Sequence, residues 1–407
     1  MPKRQRWSPV KGSANRIYDP VERALLGVAD LPGRLLLGWR RHATAPLARD
    51  GVREVLVLRL DRIGDVLMSL PALAALRAAL PSARIRLAVG RWSDAIAKSA
   101  PVDEVLVWSA PWLGRAKEGA AGLMALGRAA RALRTPRLDL AIDLQGDVRA
   151  SLLIWLSGAR ARVGYANTGG AYLLTHVVPL DESVSWPEQN LRAIAVAVGE
   201  AAPARCDVLR DDDRRFARQL FDTLQLEAKR PLVGVHPSGG RQLKQWPVER
   251  WAELAARLQR EHGATILITG AEGDRALAAA LAQALPKQPL DLSGRLSVRE
   301  TLAVIAGLDL FLSPDTGPMH MAVSVDTPSL SVFGPSDPVR YFSGGSGVAG
   351  TRHVVVKPEL WCAPCNLIRK PPAECAAAAA PECLQLVAVD SVYAAAARLM
   401  RETTRAR

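Results

Sequence analysis

Val57-Leu-Arg-Leu-Asp-Arg-Ile-Gly-Asp-Val-Leu-Met-Ser-Leu-Pro-Ala-Leu73 reads as the end of a buried strand, a short polar loop and the start of a helix. The other half of the chain holds a second stretch of the same kind, Phe311-Leu-Ser-Pro-Asp-Thr-Gly-Pro-Met-His-Met-Ala322, together with His236-Pro-Ser-Gly-Gly240 and Lys244. In both, small or polar residues stand where strand gives way to helix. The first N–H groups of a helix have no partner inside it, so they are free to bind an anion. Two such crevices, one per half, suggest an enzyme that holds a phosphorylated donor in one domain and an acceptor in the other.

Around these stretches the pattern is strand-helix alternation. Strands are expected at 53–59, 84–89, 104–108, 138–143 and near 175–178, with helices such as 66–79 and 119–134 between them. A second series follows the charged stretch Arg210–Arg215 and a helix after it. Its strands are expected at 231–235, 264–269, 288–292, 308–312 and 328–333, its helices at 247–262, 273–285, 297–306 and 318–325. Continuous apolar strands alternating with helices mean parallel sheets covered on both faces. The expected architecture is α/β, with two Rossmann-like domains facing across a cleft and ligands beyond the carboxyl ends of the strands. The expected division is a basic extension 1–51, an acceptor domain 52–205, a donor domain 206–385 and a final helical segment 386–407, with 200–213 as linker. Neither a G-x-G-x-x-G turn nor a Walker A loop follows the first strand of either half, which speaks against dehydrogenase and kinase readings.

A chain of 407 residues with a 49% hydrophobic fraction can bury two cores. No apolar run approaches the ~20 residues of a membrane-spanning helix. The early apolar stretch is broken by Asp30, Pro32, Gly33 and Arg34, a poor secretory signal. A cytoplasmic protein is therefore expected. The net charge of +13 is concentrated at the start, where residues 1–50 hold ten Lys or Arg against four Asp or Glu. With aromatic residues at 5% and no nucleic-acid motif, an anionic membrane surface or an acidic acceptor fits this charge as well as nucleic acid, which is not expected as a partner, and a solvated basic surface is the plain alternative. Ile17, Val21, Leu25 and Val28, then Leu35, Leu36, Leu37 and Trp39 beside Arg40 and Arg41, form a basic amphipathic pattern. It suits either a lipid surface or the body of the protein.

Several separated motifs occur in one order: LRLDRIGDVLMSLPAL (58–73), DLAIDLQGDVRASLL (139–153), ARVGY (161–165), VGVHPSGGRQLKQWPVERWAEL (233–254), LITGAEGD (267–274), DLSGRLSVRETLAVI (291–305) and SPDTGPMHMAVSVDTPSLSVFGPSDP (313–338). Over roughly residues 53–345 the chain resembles glycosyltransferase family 9, the ADP-heptose:lipopolysaccharide heptosyltransferases. The resemblance implies the GT-B fold and inverting transfer of heptose from ADP-heptose to a lipopolysaccharide inner-core acceptor, with peripheral contact at the inner membrane. Asp65, at the first helix start, matches the family's catalytic carboxylate, a general base for the acceptor hydroxyl. An ordinary helix N-cap is the competing reading. Gly64 allows the tight turn beside it.

The leaving diphosphate would meet Lys244 and the helix start at Thr316 and Gly317, where positive charge offsets the charge growing on the phosphate. Ser238 and Gly239 would line the same place, and Asp315 would accept from sugar hydroxyls. His236 and His320 read more readily as core or supporting residues, although His320 belongs to the donor set. Thr269, Gly270, Glu272, Leu292 and Gly294 end consecutive strands and would face the nucleoside; adenine is implied by the resemblance alone. Arg59, Arg62, Gln145, Arg149, Arg160 and Arg162 are expected near carboxyl ends of strands, where guanidinium groups suit a phosphorylated acceptor. No diphosphate motif carries a D-x-D pair, so catalysis is expected to need no cofactor.

Four of the five cysteines fall in Cys362-x2-Cys365-x9-Cys375-x7-Cys383. In a cytoplasmic chain this spacing suits either a structural zinc or iron site or free thiols. Some relatives, autotransporter heptosyltransferases, resemble it in carrying a metal-bound cysteine finger. That keeps open a family-9 enzyme acting on a protein hydroxyl. The same fold would also serve a nucleotide-sugar epimerase, or a basic surface-binding protein built on a retired transferase.

Overall fold

The computed structural model describes residues 31–33, 35–36, 42–108, 121–167, 169–342, 352–368 and 371–405. Most of the basic extension, including Ile17, Val21, Leu25, Val28, Leu37, Trp39, Arg40 and Arg41, lies outside the described residues. The chain divides into two units, Met1–Cys206 and Asp207–Arg407.

In the first unit the apolar run Val55–Leu58 is fully buried, and burial on both faces is what makes a strand parallel and central. The strands are β1 (Glu54–Arg59), β2 (Arg84–Val89), β3 (Glu104–Val107), β4 (Leu140–Asp143), β5 (Ala161–Tyr165) and β6 (His176–Val178). They form one parallel sheet in the order β3-β2-β1-β4-β5-β6. The main helices are α1 (Ile63–Ala79), α2 (Ala121–Leu133), α3 (Val148–Leu156) and α4 (Trp186–Val198), and α1 packs against α4.

The second unit repeats this winding. It runs α5 (Asp211–Thr223), β7 (Leu232–Val235), α6 (Val248–His262), β8 (Thr265–Ile268), α7 (Arg275–Gln283), β9 (Leu290–Asp291), α8 (Val298–Ala306), β10 (Leu310–Pro314), α9 (Gly317–Ser324), β11 (Ser329–Val332), β12 (His353–Val356) and α10 (Val389–Arg405). Its parallel sheet has the order β12-β11-β10-β7-β8-β9. Val233, Trp246, Trp251, Leu312 and Leu330 fill its core, and α10 adds Val392, Ala396, Leu399 and Met400. In both units the strand order reverses between the first and fourth strands, β1 and β4 or β7 and β10. That is where an open sheet leaves a crevice at its carboxyl edge.

The strands β5 and β12 were not expected. The charged run Arg210–Arg215 does not precede a helix but opens one. Asp213 Oδ2 accepts from Arg210 N at 2.7 Å, tying the residue before the helix to its first turn, and the buried Asp213 is ion-paired with Arg299. Three aspartates in a first turn also suit the positive end of the helix dipole. No helix among the described residues is long and apolar enough to cross a membrane.

Candidate active site

In the first unit the crevice lies between the loops after β1 and β4. β1 ends at Arg59, whose buried guanidinium must be paired where it stands. Arg59 Nη1 donates to Leu144 O, and Nε donates to Asp65 O at 3.2 Å. Nη1 lies 3.5 Å from Asp61 Oδ2, and Nη2 lies 3.6 Å from Asp65 Oδ1. Arg62 precedes α1, and its N–H donates to Asp65 Oδ2 at 3.1 Å. Asp65 is thus a helix cap through one oxygen and Arg59's partner through the other, with 28% of its side chain exposed. Gly64 is buried beside it.

The second wall is built by Asp143, fully buried at the end of β4. Its Oδ1 accepts from Gln145 N at 2.8 Å and Gly146 N at 3.1 Å, and Oδ2 accepts from Ser151 Oγ at 3.3 Å. Gly146 has φ +77°, and a Cβ there would sit 2.6 Å from Asn167 Oδ1, so the turn needs glycine. Asp147 caps α3 and accepts from Arg149 N at 2.8 Å and from its Nε at 2.7 Å. Burial pushes Asp143 up to about 7 against the pull of the Gln145 and Gly146 N–H groups. Burial likewise lifts Asp61 to about 7; Arg59 opposes the shift, while Asp65, Asp143 and Asp147 add to it.

Four expected acceptor residues, Arg62, Gly64, Gln145 and Arg149, border this crevice with Asp65. Arg59 borders it too, but as a buried group whose donors are committed to the protein. Arg160 and Arg162 do not reach it. Arg160 precedes β5 and Arg162 is its second residue, so both lie at the amino edge of the sheet. There Arg160 stands 4.0 Å from Asp139, whose carboxylate holds Arg53 N and Glu54 N at the start of β1. Arg162 donates to Leu173 O and Ala159 O at 2.7 and 2.6 Å. Asp61, Asp143 and Asp147 were not anticipated. Their signal was a repeated spacing, Asp61–Asp65 and Asp143–Asp147, that brackets the strand-to-helix turn on both sides of the crevice.

In the second unit, Lys244 ends a short turn and its ammonium pairs with the buried Asp315 carboxylate, with Asp315 O 3.4 Å away. Gly239 makes room for this arrangement: a Cβ on it would lie 2.7 Å from the Lys244 carbonyl carbon. Ser238 is buried next to it. Thr316 adopts an extended N-cap conformation without capping α9 through its side chain, and Gly317 and Pro318 open the helix. Lys244, Asp315, Thr316 and Gly317 therefore meet at the β7/β10 crevice. His236 is buried, its N–H donates to Leu312 O at 2.8 Å, and Nδ1 lies 3.1 Å from Thr269 Oγ1. Burial lowers it to about 4, so it is neutral at pH 7 and braces the strand ends. His320 is buried within α9.

Beside these, the ends of β8 and β9 bring the other expected donor residues together. Leu292 N donates to Ile268 O at 2.9 Å and Gly294 N to Gly270 O at 2.8 Å. Gly294 has φ +64°, and a Cβ there would lie 2.5 Å from Glu272 Oε2, which pairs with Arg275 at 2.9 Å.

The segment that carries Cys362 and Cys365 meets the loop after β11. Asn366 N donates to Pro335 O at 2.8 Å, and its Oδ1 accepts from Asp337 N at 2.9 Å, so the segment after Cys365 ties down the loop following β11. Burial, with help from neighbouring charges, raises Cys375 and pushes Cys383 up to about 12. Among the described residues no group of three or more His, Cys, Asp or Glu is placed to hold a metal ion. Cys362, Cys365, Cys375 and Cys383 form no disulfide, and the zinc or iron reading of their spacing finds no support in their placement.

Two doubly wound parallel domains, each with a helix start at its switch point, are the architecture of the GT-B fold. The family model of glycosyltransferase family 9 (heptosyltransferase) matches residues 126–374, and the chain belongs to that family. It is a glycosyltransferase. Lipopolysaccharide heptosyltransferase 1 of Pseudomonas aeruginosa is 28% identical over 335 residues, covering 77% of this chain and 86% of its own. The lipopolysaccharide core heptosyltransferase OpsX of Haemophilus influenzae is 23% identical over 302 residues, 72% of this chain and 83% of its own. Among solved structures, a family-9 glycosyltransferase from Veillonella parvula superposes with a TM-score of 0.70 at 22% identity, covering 86% of this chain and 97% of its own. Escherichia coli heptosyltransferase WaaC with ADP gives 0.62 at 22%, covering 86% and 99%.

Proposed function

We propose that this enzyme transfers heptose, with inversion, from ADP-heptose to a lipopolysaccharide inner-core acceptor. The observation that carries the reading is Asp65: a partly exposed carboxylate at the mouth of a switch-point crevice, oriented by Arg62 N and Arg59. The relatives named for lipopolysaccharide heptosyl transfer, and the WaaC structures named with ADP and with ADP-2-deoxy-2-fluoro heptose, support the donor and acceptor.

In this reading the first unit binds the acceptor through Arg62, Gly64, Gln145 and Arg149. The second binds the donor through Ser238, Gly239, Thr269, Gly270, Glu272, Leu292, Gly294, Asp315, Thr316, Gly317 and His320. Asp65 takes the acceptor hydroxyl proton as that oxygen bonds to the anomeric carbon. The bond from that carbon to the diphosphate breaks on the opposite face, and ADP leaves with the electron pair. Lys244 and the first turn of α9 stabilise its charge. One displacement by one base inverts the anomeric centre. The exposed Leu31, Leu35 and Leu36 in the basic N-terminal region suit contact with the anionic membrane that carries such an acceptor.

Mass-spectrometric turnover of ADP-heptose with heptose-deficient lipopolysaccharide core tests this. A gain of one heptose is expected, falling by about 10²–10⁴-fold in Asp65→Asn with ADP affinity retained. ADP-heptose binding without transfer to this core would redirect the acceptor to another hydroxyl, such as that of a protein. Failure to bind any ADP-sugar would defeat the reading.

A further inference from the structure

Asp61 has no part in the transfer just described, yet it is bound to Asp65 by a shared charge. The two carboxylates flank one guanidinium, 3.5 Å and 3.6 Å from its two Nη atoms. Arg59 is not free to choose between them by moving, because it is buried and also donates to Leu144 O and Asp65 O. Asp61 is fixed as well: Ser93 Oγ donates to its carbonyl at 3.1 Å, and so does Trp92 Nε1. We propose that Asp61 is a positioning residue for the transfer, acting on Asp65 through the guanidinium they share. The inference rests on Asp65 being the base.

The charged groups acting on Asp61 are Arg59 from β1, Asp65 from α1, Asp143 at the end of β4 and Asp147 at the cap of α3. From the loop after β2 it meets the uncharged Trp92 and Ser93. Burial and three carboxylates outweigh one guanidinium, which is why Asp61 holds its proton up to about 7. While Asp61 is protonated, Arg59 has one charged carboxylate of the pair beside it and holds Asp65 by an undivided attraction. Once Asp61 ionises, the guanidinium is shared between the two, its hold on Asp65 loosens, and that carboxylate is freer to meet the acceptor hydroxyl. Turnover should therefore rise as pH climbs through about 7, while donor binding, made by the other unit, stays level.

The test is kcat and KM for ADP-heptose from about pH 5.5 to 9, measured on the full chain and on Asp61→Asn, Asp61→Glu, Asp143→Asn and Asp65→Asn. In Asp61→Asn the acid limb near neutrality is expected to vanish and kcat above the limb to fall about ten-fold, with KM unchanged. Asp61→Glu should restore a limb at a shifted position, and it carries the test if the asparagine variant does not fold. An unchanged limb in Asp61→Asn overturns the proposal, as does a limb abolished only in Asp143→Asn. So does a fall in kcat with the pH profile intact, the mark of a merely structural role. Asp65→Asn separates the two levels. If it keeps transferring heptose, the base reading itself fails; if it is inactive while Asp61→Asn behaves as wild type, only the Asp61 proposal falls.

Discussion

Asp143 shows how a buried carboxylate can fix a loop and still cost stability. It organises the turn after β4 through two backbone N–H groups and Ser151, yet burial holds its pKa at about 7. A raised carboxyl pKa means the folded state binds the proton more tightly than the unfolded state. Its stabilising contribution is complete below the unfolded value near 4 and is lost as pH rises through about 7. Asp143→Asn cannot ionise but still accepts from Gln145 N and Gly146 N. Denaturant unfolding should show the variant gaining on wild type between about pH 5 and pH 8, by at most about 4 kcal/mol. A constant difference across that range would mean that Asp143 does not carry the shift.

At Gly239 the residue scale reaches the chemistry. A methyl group there would press on the Lys244 backbone from 2.7 Å, and backbone yields less readily than a flexible side chain. Gly239→Ala should move Lys244 off Asp315 and cost up to ~10²-fold in kcat, in the range of Lys244→Ala, because small misplacements of a charged group are that expensive. Steady-state kinetics of the two variants check this; wild-type kcat in Gly239→Ala would show that the turn can shift without harm.

At the scale of elements, legibility follows the strength of the apolar run. β1, β4, β7 and β10 are continuous apolar stretches closed by polar loops, so the strands and the residues at their carboxyl ends, Asp65, Lys244 and Asp315, are readable. Ala161–Tyr165 is interrupted by Arg162 and Gly164, and missing that strand has a direct consequence. Without β5, Arg160 and Arg162 read as a loop after β4 at the carboxyl edge; with it, they fall at the amino edge. Arg59 reads as the end of β1, but its burial is invisible, because nothing in a sequence says which way the side chain turns once the loop folds back over it. The Asp213 cap that makes Arg210–Arg215 a helix start is legible in principle. Its partner Arg299, 86 residues away, is not. That pair yields a stability prediction. Arg299→Ala leaves the buried Asp213 with the Arg210 N–H but without its cation at the start of α5, and should destabilise the second unit by about 3–5 kcal/mol. Arg299→Ala combined with Asp213→Asn should recover much of it. Chemical denaturation of the single and double variants measures the coupling.

For the whole molecule, the same winding occurs twice, and each copy holds both sides of its own switch point. The second unit has its own six-stranded sheet and its own core, closed by α10 through Val392, Ala396, Leu399 and Met400. The residues proposed to bind the donor all come from this unit, from the ends of β7, β8, β9 and β10. A chain of residues 207–407 should therefore fold cooperatively and bind ADP with an affinity within about ten-fold of the full enzyme, since independent cores fold as units. It should transfer nothing, because Asp65 and the acceptor crevice are absent. Lys244→Ala in the isolated unit should weaken ADP binding, whereas Asp65→Asn in the full chain should not. Calorimetric titration with ADP decides it. A folded 207–407 unit that fails to bind ADP, beside a full chain that binds it, would mean that residues of the first unit take part in holding the nucleotide, and the assignment of the donor to the second unit would have to be given up.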